Sequence, residues 1–192
     1  MSEKMQLGSV EIITPRELVL DALQYVPKGE ALDLGSGWGR HSLYLASKGF
    51  EVEAVDSDPS RLASLERKSK ESGLTVRAYE GDVRDFDAKN KQYDLILSTM
   101  VLHFLGNHEE MAAVVHEMQD ATRVGGVDVI CSYTDKSQND LRPYLLNAEE
   151  LKKLYADWEI LHFKEFQGTD HNVDGPEKGK RVWRVELIAR RK

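Results

Sequence analysis

A chain of 192 residues, 41% hydrophobic and 31% charged, is long enough for one α/β unit to bury a core without staples. The single cysteine, Cys131, rules out an intramolecular disulfide, and the six scattered histidines give no metal-ligand spacing with it. A net charge of −7 disfavours a nucleic-acid partner, and no apolar run approaches the ~20 residues of a membrane helix.

In chain order, "MSEKMQLGSVEIITPRE" lacks a signal-peptide core, which with the lone cysteine predicts a reducing, cytoplasmic setting. "TPRELVLDALQYV" reads as a helix, with Thr14 as its cap, Pro15 at its first position and Glu17 closing a capping box. "ALDL" is a buried strand. The glycine-rich "GSGWGRHS" then opens a helix that ends at "SKGF", where Gly49 takes the left-handed position. "EVEAVD" alternates as a strand ending in Asp56, and Asp58-Pro59 restarts a helix running to about Gly73. "TVRAYEGD" and "YDLILSTM" are the third and fourth strands. Met111, Val114, Val115 and Met118 recur at helical spacing within "HEEMAAVVHEMQDAT". "VDVICSY" is a fifth strand. Asn147 and Glu150 cap a short helix through "LKKLYADW", and "EILHFKEF" and "RVWRVELIAR" close the chain as strands.

Alternating strands and helices predict an α/β fold with a parallel sheet between two helical layers, in one domain over 1–192. The last two strands have no helix between them and pair antiparallel at one edge. The stretches 133–146 and 167–180 are candidate binding loops beside the carboxyl edge of the sheet.

Chemistry concentrates at Gly35, Gly37 and Gly39. A dinucleotide fingerprint would put its third glycine at position 40, which is Arg40. The observed spacing, preceded by Asp33, resembles the first motif of Rossmann-like S-adenosylmethionine-dependent methyltransferases. Bare backbone there lets the methionine part of the cofactor lie along the turn. Asp56, at the end of the second strand, suits both ribose hydroxyls, while Asp58 is committed to capping. The resemblance further implies that Asp82 holds the adenine amino group, that the Val83 amide meets a ring nitrogen, and that the Ser98 carbonyl holds the ammonium group. Ser36, Arg40 and Ser57 complete the expected cofactor set.

The stretches "LDLGSGWGRHSLYLASKGFEVEAVD", "QYDLILSTMVLHFL", "MQDATRVGGVDVI" and "LIARRK" resemble the tellurite-resistance methyltransferase family over nearly the whole chain. That resemblance implies a seven-stranded, mostly parallel sheet with helices on both faces and an antiparallel C-terminal strand. It implies S-adenosylmethionine as cofactor, S-adenosylhomocysteine as product, and a chalcogen oxyanion or another small soft nucleophile as acceptor. The family carries a His-Arg pair for the substrate, and here Gln167 and Gly168 stand in its place.

Methyl transfer from a sulfonium is an in-line displacement that needs alignment more than acid or base catalysis. Candidates around the acceptor are His103, Tyr133, Arg142 and Tyr144. His103, His171 and Arg181 are the candidates for chemistry, histidine being the usual base where a proton must leave. Arginines receive an anion through forked hydrogen bonds. Cys131, within an apolar strand, reads as core. The expected partner is a small molecule, without nucleic acid or membrane, and the chain is a monomer or homodimer. The competing expectation is a cofactor-binding regulator, or a degenerate homologue, without turnover.

Overall fold

The computed structural model describes residues 4–87, 91–137, 144–169 and 179–192. Strands β1 (Lys4–Leu7) and β2 (Val10–Ile13) form an antiparallel hairpin. Helix α1 (Glu17–Ala22) leads into β3 (Glu30–Leu34), and α2 (Arg40–Ser47) into β4 (Glu51–Asp56). Then follow α3 (Pro59–Glu71), β5 (Val76–Glu80), β6 (Tyr93–Thr99), α4 (His108–Ala121) and β7 (Thr122–Tyr133). Helix α5 (Ala148–Leu154), β8 (Glu159–Thr169) and β9 (Arg181–Arg190) complete the order. Seven strands make one sheet, β5-β4-β3-β6-β7-β9-β8. Only β9 runs against its neighbours, β7 and β8, so the expected mostly parallel sheet with an antiparallel C-terminal strand is what forms.

The local causes are visible at the helix starts. Asp58 accepts from the amides of Ser60 and Arg61, and Pro59 occupies the first helical position of α3. Asn107 and Asn147 cap α4 and α5 in the same way. The expected cap at Thr14 does not form. Arg16 precedes α1 in extended geometry with no side-chain cap, and the Thr14 carbonyl accepts from Arg40 Nε at 2.7 Å instead. Helix α1 therefore starts at Glu17, three residues past the predicted cap.

Strand periodicity splits the core in two. Leu32, Leu34, Ile96 and Ile130 meet Met111, Val115 and Met118 of α4 and Leu151 of α5. Ala31, Leu95, Leu97 and Val129 point the other way, onto Leu18, Val19 and Ala22 of α1 and Leu45 of α2. A third cluster joins Val10 and Ile12 of the hairpin to Leu43, Ala54 and Leu65.

One buried carboxylate ties elements together. Asp128 of β7 accepts from Thr122 Oγ1 at 2.6 Å and from Tyr155 Oη at 2.8 Å. Burial pushes its pKa up to about 7.

Candidate cofactor and acceptor site

The chain runs from β3 outward to β5 and then returns to β6 on the other side of β3. Ligands of open α/β sheets sit above the strand ends at such a reversal. There, a cleft of about 410 Å³ is lined by Gly35, Asp56 and Ser57, by Gly81, Asp82 and Val83, and by Met100, Val101, Phe104 and Leu105, with Arg61 and Arg84 at its rim.

The glycine loop has two different reasons for its bareness. A Cβ on Gly35 would lie 2.3 Å from Val101 Cγ2, and one on Gly39 would lie 2.3 Å from Leu65 Cδ1. Those two positions are closed by the protein's own packing. A Cβ on Gly37 would meet nothing within 4 Å, so that residue faces open space, and its φ of 55° is one that side chains avoid. The Gly37 amide donates to Asp56 Oδ2 at 2.7 Å, and Asp58 N donates to Oδ1 at 3.0 Å. Arg61 Nη1 lies 4.0 Å from the same carboxylate. Asp56 is 5% exposed. A carboxylate offers about four acceptor sites, so roughly two remain for a ligand diol.

The other cofactor candidates separate by position. Ser57, Asp82 and Val83 line the cleft with Asp56. Both oxygens of Asp82 already accept from Arg84, at 2.9 and 2.6 Å, and this pair holds the carboxyl below its usual range. Ser36 and Ser98 are buried, and each has an Oγ without a hydrogen-bond partner. Asp33 does not line the cleft. It accepts from Ser42 Oγ at 2.6 Å, and burial raises its pKa to about 6. Arg40 turns back to the Thr14 carbonyl and anchors the N-terminal segment. Trp38, 54% exposed, stands on the loop.

Among the residues expected around an acceptor, the structure brings His103 and Tyr133 together, with ring centroids 4.6 Å apart and edge to face. His103 is buried, with Nδ1 3.4 Å from Ser132 Oγ. Tyr144 is half-buried and hydrogen-bonds His108 at 3.3 Å, and Arg181 is exposed opposite Thr169. Arg142 and His171 lie outside the described residues. Gln167 and Gly168 sit within the β8–β9 ladder, opposite Trp183 and Val182. Burial raises the Cys131 thiol to about 11, which leaves it unreactive in the core.

Sequence reasoning missed two residues here. Met100 is the only described non-glycine residue with positive φ, at 61°, a strained geometry held beside the cleft. His41 pairs with Thr99 through Nδ1 at 3.1 Å, and its buried Nε2 has no partner. Burial lowers its pKa to about 3, so the ring is neutral. A histidine two positions past Gly39 was the signal available for it.

A model of the tellurite resistance protein TehB family matches residues 8–187. The chain belongs to the TehB family. The probable S-adenosyl-L-methionine-dependent methyltransferase TehB of Haemophilus influenzae is 35% identical over 181 residues, which cover 91% of this chain and 61% of that protein. Hemagglutinin 1 of Eikenella corrodens is 31% identical over 181 residues, covering 93% and 60%. The crystal structure of TehB from H. influenzae superposes with a TM-score of 0.84 at 30% identity, covering 93% of this chain and 63% of that one. The chain thus spans about three fifths of the length of these relatives. No described helix is long and apolar enough to cross a membrane.

Proposed function

We propose that this TehB-family chain is a methyltransferase that uses S-adenosylmethionine to alkylate a small-molecule acceptor. The acceptor is a chalcogen oxyanion, a thiol or a small metabolite. One observation carries the reading. The Asp56 carboxylate fastens the Gly37 amide at the wall of the cleft and keeps acceptor capacity there for a ribose diol. The relative named as an S-adenosylmethionine-dependent methyltransferase supports the same assignment.

When bound, the cofactor supplies an activated methyl group on sulfur. Asp56 and Ser57 hold the ribose, and Asp82 and the Val83 amide hold the adenine. The open side of Gly37 lets the methionine portion pass, and the Ser98 carbonyl orients its ammonium group. Met100, Val101 and Leu105 exclude water from the end of the cleft, and His103 with Tyr133 faces the acceptor. Alignment of this kind is worth roughly 7–11 kcal/mol of barrier, so no obligatory base is required.

The test is transfer of a labelled methyl group to a panel containing tellurite, selenite and thiols. Labelled product from at least one acceptor is expected. Tight binding of S-adenosylhomocysteine with no product from any acceptor favours the regulator or degenerate-homologue reading, consistent with Gln167 and Gly168 at the family's His-Arg position.

A further inference from the structure

The two carboxylates of the cleft are fixed in different ways. Asp56 is gripped by backbone, through the amides of Gly37 and Asp58, and its side chain is 7% exposed. Asp82 stands just past the end of β5, before the turn Val83–Asp85, and its side chain is 32% exposed. Among the described residues, every hydrogen bond to its carboxylate comes from Arg84. The Arg84 amide and Nε both donate to Oδ1 at 2.9 Å, and Nη2 donates to Oδ2 at 2.6 Å. Arg84 Nη1 lies 3.7 Å from Glu110 Oε2, and that oxygen also accepts from the Gly106 amide at 2.9 Å. The guanidinium is thus held from two sides, by its own turn and by the first turn of α4.

The acceptor sites that this leaves can be counted. A carboxylate has about two on each oxygen. Oδ1 has used both and Oδ2 has used one, so a single site remains on a residue that lines the cleft. The pairing with Arg84 also keeps the carboxyl ionised, and therefore an acceptor only. One free acceptor matches one N–H, such as that of an exocyclic amino group on a purine edge. A planar fork that grips both oxygens also fixes the plane of the carboxylate, which a partly exposed side chain does not do unaided.

We propose that Arg84 is a positioning residue that sets the base preference of the cleft, locking Asp82 so that one acceptor is left for the 6-amino group of adenine. The inference rests on the methyltransferase reading, which supplies the adenosyl ligand, and it extends that reading to a residue outside the expected cofactor set.

The test is calorimetric titration of wild type, R84Q and R84K with S-adenosylhomocysteine and with its 6-deamino analogue, whose purine lacks only the amino group. Wild type is expected to favour the amino ligand by about tenfold. In R84Q that preference falls to about twofold, through loss of affinity for S-adenosylhomocysteine alone. The deamino ligand binds R84Q as it binds wild type, which shows at once that the variant is folded and that its cleft is intact. R84K keeps the charge but not the fork, so its preference lies closer to that of R84Q. A preference in R84K closer to that of wild type overturns the fork. Equal losses for both ligands in R84Q, an unchanged preference, or tighter binding of S-adenosylhomocysteine overturn the positioning role. A wild type that binds both ligands equally well overturns it too, with the cofactor reading left standing. A wild type that binds neither ligand removes the cofactor reading and this inference with it.

Discussion

At the scale of the residue, three glycines at equal spacing play two parts. Gly35→Ala and Gly39→Ala drive a methyl group into Val101 and Leu65, and each is expected to destabilise the fold by roughly 2–4 kcal/mol from overpacking and strain combined. Gly37→Ala meets only the backbone penalty, about 1–2 kcal/mol. Urea unfolding of the three variants checks the order, and equal losses would contradict it. Gly37→Val adds β-branching at that positive φ, so it costs more stability than the alanine, and it fills the open side of the turn. Its affinity for S-adenosylhomocysteine is expected to fall at least tenfold, and normal binding by the folded variant would remove the role given to that opening. The glycine spacing and Asp56 were legible because each is a local signal at a strand end. The division of labour among the glycines was not, because Val101 and Leu65 arrive from distant parts of the chain. His41 was hidden for the same reason, since its partner Thr99 is 58 positions away.

At the scale of the element, buried carboxylates set the pH response. Asp128 joins β7 to the residue ending α5 and to the start of its own strand, and burial raises its folded pKa to about 7 from an unfolded value near 3.8. The folded state therefore holds a proton that the unfolded state gives up between about pH 4 and 7. This contribution to stability is full below pH 4 and is lost as pH rises through 7. Asp128→Asn keeps the polar contacts without the titration. Its stability relative to wild type is expected to be higher at pH 8 than at pH 5, measured by urea unfolding at both, and a pH-independent difference would contradict the assignment. Helix starts at Asp58 and Asn147 were readable because an N-cap is a local hydrogen bond. The Thr14 cap does not form because α1 begins beyond its reach, after Arg16, a boundary that no local signal marked. The β1–β2 hairpin escaped notice because two four-residue runs around Gly8 carry too little alternation to stand out before the third core cluster is known.

At the scale of the whole molecule, the parallel sheet was legible from alternation alone, and its antiparallel edge followed from two strands with no helix between them. The insertion of β9 between β7 and β8 was not legible, because order within a sheet depends on nonlocal pairing. The reversal of winding at β3 and β6 places the cleft, and every feature assigned to the cofactor depends on that placement. The most direct measurement is calorimetric titration of S-adenosylhomocysteine into wild type and Asp56→Ala, with NAD as the control ligand. The account predicts saturable binding to wild type, at least a tenfold weaker interaction with a still cooperatively folding Asp56→Ala, and no comparable binding of NAD. Undiminished affinity in Asp56→Ala, or NAD binding as tightly as the homocysteine nucleoside, would contradict it.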